Sequence, residues 1–192
     1  MMVFGITNRK LCEDFYNQIN KISTSKLDYL ILREKDLSEE ELLQLALEVK
    51  NRLKLTNIKL IINSNIDVAK AIKADGIQLS YNKFLELKHR PFKKVGVSIH
   101  SYKEAIEAYK LGADYVIYGH VFETECKKGL KPRGFIELSK IAKDIDIPVI
   151  GLGGINHCNY KEVLEAGAEG IAVMSSLMNA QYVSEFVEKF LI

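Results

Sequence analysis

Short apolar runs rich in Val, Ile and Tyr alternate along the chain with longer amphipathic segments. Polar and apolar residues hardly alternate within these runs, which is typical of strands that are buried on both faces of a parallel sheet. The pattern therefore predicts eight parallel strands. In chain order they are residues 3–6, 29–33, 60–63, 76–79, 95–100, 115–120, 148–153 and 170–174.

The segments between these runs carry the sequence features of helices. Ser38 with Glu41, and Ser101 with Glu104, match the capping-box pattern that begins a helix, and Gly112 fits the end of one. No linker, charge block or low-complexity stretch interrupts the alternation. We expect one domain over residues 1–192.

A weak internal repeat indicates how the strands are arranged. An acidic residue directly precedes the second, fourth, sixth and eighth runs, at Asp28, Asp75, Asp114 and Glu169. Each interval holds two strand–helix units, as a barrel with quarter-turn pseudosymmetry requires. The predicted fold class is α/β, a closed (β/α)8 TIM barrel, in preference to an open doubly wound sheet.

The charge balance excludes some classes of partner. Lys and Arg number 27 against 25 Asp and Glu, for a formal net charge of +2, which predicts neither nucleic-acid nor membrane binding. The longest apolar stretches, such as residues 59–63, are too short to span a bilayer, and we see no secretion signal. The three cysteines, Cys12, Cys126 and Cys158, have no metal-ligand spacing, so we expect free thiols in the cytoplasm.

In a TIM barrel the functional site lies where the strands end and in the loops that follow them. Polar, basic and glycine residues collect at these positions, and we predict a binding site there. The candidates are Arg33, Lys35, Asn63, His100, His120, Thr124, Lys127, Gly153, Gly154, Ser175 and Ser176.

The loops after the seventh and eighth strands predict a phosphate site. Gly153 and Gly154 let the backbone approach a ligand closely, and the N–H groups before the next helix favour an anion. Ser175 and Ser176 follow the eighth strand, and these two loops frequently bind phosphate in barrels. The alternative is that the glycines only form a tight turn.

Titratable and basic side chains at other strand ends suggest proton transfer and anion binding. A histidine such as His120 can take and return a proton near neutral pH, although it could instead be a structural residue bonded to a backbone carbonyl. We expect a supporting role for His100. Arg33 and Lys35 are expected to point inward with Glu34 turned toward the helices, and Lys127 lies in a loop that is either a lid or simply exposed.

Several motifs in order make the chain resemble the thiamin phosphate synthase/TenI superfamily. The most specific is Gly-His-Val-Phe-Glu-Thr-Glu-Cys-Lys-Lys-Gly at residues 119–129. The others include Leu-Arg-Glu-Lys at 32–35, Ala-Asp-Gly-Ile-Gln-Leu at 74–79, Gly-Gly-Ile at 153–155 and Gly-Ala-Glu-Gly-Ile-Ala-Val at 167–173. The resemblance covers essentially the whole chain and implies a TIM barrel with a role in thiamin synthesis or salvage.

The superfamily has a synthase branch, which couples a hydroxymethylpyrimidine diphosphate to a thiazole phosphate with Mg²⁺. The resemblance places its two metal-binding aspartates at Ser64 and Lys83 of this chain, and neither residue is a carboxylate. Mg²⁺ normally needs at least one carboxylate ligand. Ile31 and Cys126 also depart from the synthase pattern. These departures argue against synthase activity.

The second branch, the thiazole tautomerase TenI, resembles residues 119–129 closely and has a histidine where His120 stands. We therefore expect an isomerase that aromatises a carboxylated dihydrothiazole phosphate, with His120 as the catalytic proton carrier. The phosphate is expected at Gly153, Gly154, Ser175 and Ser176, and the ring carboxylate at Arg33 or Lys127. This reaction needs no metal and no cofactor.

Three other functions stay open. These alternatives to the tautomerase are a thiamin phosphate synthase that uses Mg²⁺, a non-catalytic thiazole-phosphate-binding or regulatory protein, and an unrelated phosphate-binding barrel. In the first two the partner is a small-molecule thiazole phosphate. A homodimer is also allowed for.

Overall fold

In the computed structural model, which describes residues 1–127 and 129–192 with Cys126 by its backbone alone, eight parallel strands pair in chain order. Pairing of the eighth strand with the first closes them into a barrel. The strands are β1 Met2–Ile6, β2 Tyr29–Leu32, β3 Lys59–Asn63, β4 Gly76–Ser80, β5 Val95–Ile99, β6 Tyr115–Gly119, β7 Val149–Leu152 and β8 Gly170–Val173. The predicted TIM barrel is confirmed.

Helices follow the strands on the outside of the barrel. They are α1 Phe15–Ser23, α2 Glu39–Leu53, α3 Ile66–Ala71, α4 Tyr81–Leu85, α5 Tyr102–Lys110, α6 Phe135–Asp144, α7 Tyr160–Glu165, α8 Ser175–Met178 and α9 Val183–Glu188. Short 3-10 turns cover Arg9–Leu11 and Glu125–Lys127. Within the part of the chain that the structure describes, no helix has the length and apolar character needed to cross a membrane.

Both predicted helix starts are capped by the expected serine, but only the one at Ser38 forms a full capping box. At Ser38 both bonds of the capping box form, with Glu41 N donating to Ser38 Oγ and Ser38 N donating to the Glu41 carboxylate. At Ser101 the hydroxyl accepts from Glu104 N, but the Glu104 carboxylate reaches one residue further back, to His100 N, at 2.6 Å. The cap of α5 therefore also fixes the backbone at the end of β5.

Aromatic rings fill the lower half of the barrel. The Phe4 ring stacks on Tyr29 with centroids 4.4 Å apart, and Tyr115 lies 5.2 Å from Phe4 on its other side. Lys94 adds its ammonium 5.0 Å from the Tyr29 ring centroid. The amino ends of the strands are thereby closed by side chains, so the open space in the barrel lies toward their carboxyl ends.

The acidic repeat has a structural cause at the amino ends of the strands. The carboxylates of Asp28, Asp75 and Asp114 accept main-chain N–H bonds of 2.6–2.8 Å from the first or second residue of the neighbouring odd-numbered strands, namely Val3, Leu60 and Val95. Each aspartate also donates its own main-chain N–H to the carbonyl of the strand residue that its carboxylate binds, so the contact is reciprocal. At the fourth repeat Glu169 is exposed, and its main-chain carbonyl, not its carboxylate, accepts from Met2 N.

This reciprocal contact predicts a specific loss of stability. Asp75→Ala leaves the partly buried N–H of Leu60 without its acceptor, and we expect the free energy of unfolding to fall by about 1–3 kcal/mol. Glu169→Ala is the matched control, because its carboxylate is exposed, and should change stability by less than about 0.5 kcal/mol. Urea unfolding measures both. Equal losses in the two variants would contradict the structural reading of the repeat.

Candidate active site

A cavity of about 590 Å³ opens where the strands of the barrel end. The structure brings most of the predicted site residues into its wall, namely Arg33, Asn63, His100, His120, Thr124, Lys127, Gly153, Gly154, Ser175 and Ser176. The sequence-based candidate set omitted several further lining residues, which are Asn8, Gln78, Ser98, Gly119 and Asn156. Apolar side chains such as Ile31, Ile117 and Leu152 form the floor. The wall thus combines an apolar base with a polar and basic rim, as small-molecule sites do.

Lys35 is the one predicted site residue that does not line the cavity. It is exposed, while its neighbour Glu34 is buried at 8% exposure. The expected alternation of inward and outward side chains fails here because β2 already ends at Leu32, and period-two alternation holds only within a strand.

Glu34, which was expected to turn toward the helices, bonds to residues that follow β1. Its carboxylate accepts from Thr7 Oγ1 at 2.7 Å and from Arg9 N at 3.1 Å, and so it joins the ends of β1 and β2. Thr7 Oγ1 in turn accepts from Arg33 N at 3.0 Å. Arg9 continues the network to Asp36 and holds the pKa of that carboxyl well below its usual range. The network fixes the main chain of Arg33 at the edge of the cavity.

His120 is almost fully buried, at 4% exposure. Its Nε2 lies 3.2 Å from the carbonyl oxygen of Leu130, which can only accept, so the proton of the neutral ring belongs on Nε2. Nδ1 then presents a lone pair and has no hydrogen-bond partner in the described part of the chain. The ring therefore has the structural contact that the sequence analysis gave as the alternative, a bond to a backbone carbonyl, and its other nitrogen is buried without a partner in the described residues.

Arg133 organises the loop after β6 in a way that the sequence did not reveal. Its Nε donates to Gly119 O at 3.1 Å, and its Nη1 donates to His100 O. His100 Nδ1 lies 2.9 Å from the same Gly119 oxygen, which fits the expected supporting role of this histidine. The loop is thereby held against the ends of β5 and β6. Within it, Lys128 and the side chain of Cys126 lie outside the described residues.

Positive charge gathers on the side of the cavity near Lys127. The pKa of its ammonium is lowered by burial first, and then by the positive charges of Arg133 and Lys35. Groups that repel one another in this way bind an anion favourably, because the anion relieves the repulsion. Lys35 therefore acts on the site electrostatically although it lies outside the wall.

Gly153 and Gly154 are needed for a reason beyond the tight turn. Their φ angles are +102° and +68°. A Cβ on Gly153 would lie 2.3 Å from His120 Cβ, and one on Gly154 would lie 2.3 Å from Glu123 O. The loop after β7 therefore packs directly on the loop after β6, and both glycines still face the cavity beside Ser175 and Ser176.

The residues at the ends of β3 and β4 do not suit Mg²⁺. The donors there are the neutral side chains of Asn63, Ser64, Gln78 and Ser80. Lys83 points its ammonium at the same place, 3.5 Å from Ser64 O. Over residues 1–127 and 129–192, no group of three His, Cys, Asp or Glu side chains could hold a metal ion. The donor set lacks the carboxylate that Mg²⁺ normally requires.

Known proteins resemble this chain over nearly its full length. A family model described as thiamine monophosphate synthase matches residues 3–177. A protein of Clostridium acetobutylicum named thiamine-phosphate synthase is 36% identical over 95% of this chain and 90% of its own. A protein of Clostridium novyi with the same name is 41% identical over 77% of this chain and 74% of its own.

A solved structure agrees with these relatives. The thiamine phosphate pyrophosphorylase of Pyrococcus furiosus has a TM-score of 0.86 and 30% identity, and the match covers 99% of this chain and 93% of that one. The prediction of a thiazole tautomerase, and with it the isomerase class, is wrong by these names, which belong to the transferase given as the alternative. The resemblance to the superfamily itself is confirmed.

The packing of the two loops predicts the effect of a single methyl group. Gly153→Ala forces a Cβ into His120 at an unfavourable φ, and we expect unfolding free energy to fall by about 2–4 kcal/mol. Gly112→Ala is the matched control. It also has a positive φ, but its Cβ would meet only the tip of Arg90 at 3.9 Å, so it should lose about 1 kcal/mol. Similar losses in urea unfolding would show that the two loops do not press together.

Proposed function

Because this chain belongs to the thiamine monophosphate synthase/TenI family, we propose that it is a transferase that couples a thiazole phosphate to a hydroxymethylpyrimidine diphosphate. The observation that carries the proposal is the 36% identity, over 95% of the chain, to a relative named thiamine-phosphate synthase. The cavity supports it, since 590 Å³ at the carboxyl ends of barrel strands is ample for a small phosphorylated ring.

The thiazole phosphate is assigned to the side of the cavity formed by β7 and β8. Ser175 and Ser176 begin α8, and the N–H groups in the first turn of a helix have no partner within that helix. Gly153 and Gly154 bring main chain to the same side without a side chain in the way. The apolar floor, which includes Ile117 and Leu152, suits the ring that carries the phosphate.

The pyrimidine diphosphate is assigned to the basic side of the cavity. In the coupling step the bond between the exocyclic carbon of the pyrimidine and the diphosphate oxygen breaks, and its electron pair leaves with diphosphate. The lone pair of the thiazole nitrogen forms the new bond to the same carbon. Charge therefore develops on the leaving group, and cations already in place stabilise it. The main chain of Arg33 is held by Thr7 at the edge of the cavity, and Lys127 lies among other cations, so both are suited to this task.

The coupling does not require a side chain to carry a proton between two carbons. We therefore assign His120 to holding the loop after β6 through Leu130 O. Its direct participation in catalysis stays a prediction, as do a homodimer and a location in the cytoplasm.

The carboxylate-free ends of β3 and β4 favour one second candidate, a protein that binds thiazole phosphate without coupling it. Both candidates share the phosphate site at β7 and β8. They differ in whether product and diphosphate are released when the two substrates are supplied together.

A charge placed in the phosphate site tests the proposal. Ser176→Asp sets a carboxylate against the phosphate, and we expect KM for the thiazole phosphate to rise at least about tenfold with kcat little changed. Ser184→Asp is the control, at the same position in the first turn of α9 and away from the cavity wall. Product formation is followed by liquid chromatography.

Two outcomes would overturn parts of this assignment. An unchanged KM in Ser176→Asp would remove the phosphate from the β7–β8 side. Tight binding of thiazole phosphate to the unaltered protein without any product would reject the transferase and leave the binding protein.

A further inference from the structure

Lys83 lies where the chain runs from β4 into α4 without an intervening loop. Ser80 is the last residue of β4 and also the N-cap of α4, and its hydroxyl accepts from Lys83 N. The main chain of Lys83 is therefore fixed in the first turn of the helix, while its side chain is exposed and lies outside the cavity wall. Its ammonium extends back to the carbonyl of Ser64, the residue after β3, at 3.5 Å.

The groups bonded to Ser64, whose carbonyl this ammonium approaches, are neutral. Asn63, which lines the cavity, donates from Nδ2 to Ser64 Oγ at 3.0 Å, and Ser64 N donates to Gln78 O at 2.8 Å. Two carboxylates at the same end of the barrel have other partners, since Glu39 accepts from Asn65 and Glu34 is bonded to Thr7 and Arg9. Over residues 1–127 and 129–192 the ammonium of Lys83 forms no salt bridge.

Other cations surround the cavity. Arg33 and Lys127 line its wall, and Arg133 and Lys35 are near enough to depress the pKa of Lys127. Ammonium and guanidinium groups bind phosphate oxygens through charge-assisted hydrogen bonds, and several together can neutralise a polyanion. The chain therefore has positive charge where a diphosphate has to be held and lacks the carboxylates that would bring a divalent cation there.

We propose that this chain binds diphosphate with side-chain cations in place of a divalent metal, and that Lys83 supplies the positive charge at the ends of β3 and β4. The inference deepens the proposed function and rests on it, because it concerns the diphosphate of the second substrate and the diphosphate product. The structural consequence is that binding does not depend on Mg²⁺.

Inorganic pyrophosphate is the probe for this site. Isothermal titration of the full chain is carried out once with EDTA and once with Mg²⁺ at equal ionic strength. We expect the two Kd values to agree within about twofold, and Lys83→Gln to weaken binding about tenfold in both buffers. Lys88→Gln, an exposed lysine in the segment after α4, is the matched control and should bind as the unaltered chain does.

Binding that appears only with Mg²⁺ would overturn the proposal, because a metal–diphosphate complex would then be the true ligand. Equal affinity in Lys83→Gln and Lys88→Gln would overturn the role of Lys83. Neither result depends on coupling activity, which the chromatographic assay measures separately. Pyrophosphate binding in EDTA without product formation would therefore reject the transferase and retain this site.

A double variant tests the exchange of metal for ammonium in the other direction. Ser64→Asp with Lys83→Asp sets two carboxylates at adjoining positions beside Asn63. Both substitutions suit the backbone, since Ser64 has a φ of +66°, which Asp tolerates, and Asp is favourable in the first turn of a helix. We expect pyrophosphate binding to be lost in EDTA and restored by Mg²⁺. A variant that binds as well in EDTA as with Mg²⁺ would contradict the proposal.

Discussion

The closure of β8 onto β1 is the constraint on which the site depends. Parallel strands that close into a barrel bring all their carboxyl ends to one rim, so residues far apart in sequence meet there. Arg33, His120 and Ser176 share one cavity for this reason. The amino ends are held by the reciprocal aspartate contacts and filled by aromatic rings, which leaves the carboxyl ends as the place for a ligand.

The rim is divided between two kinds of structure. On one side the loops after β6 and β7 pack so closely that Gly153 and Gly154 tolerate no side chain, and Arg133 binds the loop after β6 to the ends of β5 and β6. On the other side, the ends of β3 and β4 offer amides, hydroxyls and an ammonium. In the proposed function a phosphate suits the glycines and serines after β7 and β8, and a diphosphate suits the cations Arg33, Lys83 and Lys127. A transferase with two phosphorylated substrates would divide its cavity in this way.

The sequence predicted the barrel because buried parallel strands leave a clear apolar pattern, and it predicted most of the cavity wall because strand ends can be read from that pattern. It placed Lys35 in the wall wrongly, since alternation was extended past Leu32, where β2 ends. Arg133 was missed because its partners are main-chain carbonyls at Gly119 and His100, and main-chain acceptors leave no pattern in the sequence.

The reaction was harder to predict from the sequence than the fold or the site. Ser64, Lys83 and His120 show which chemical groups the site has and which it lacks, but they do not show which substrates enter it. Similarity along the whole chain corrected the tautomerase prediction.

A crystal structure of the protein with thiazole phosphate and pyrophosphate, grown in EDTA, tests the central claim most directly. The account predicts the thiazole phosphate group within hydrogen-bond distance of Gly153, Gly154, Ser175 or Ser176, its ring on the apolar floor, and pyrophosphate against Arg33, Lys83 and Lys127. Thiazole phosphate bound elsewhere, or a pyrophosphate that is ordered only when Mg²⁺ is added, would contradict it.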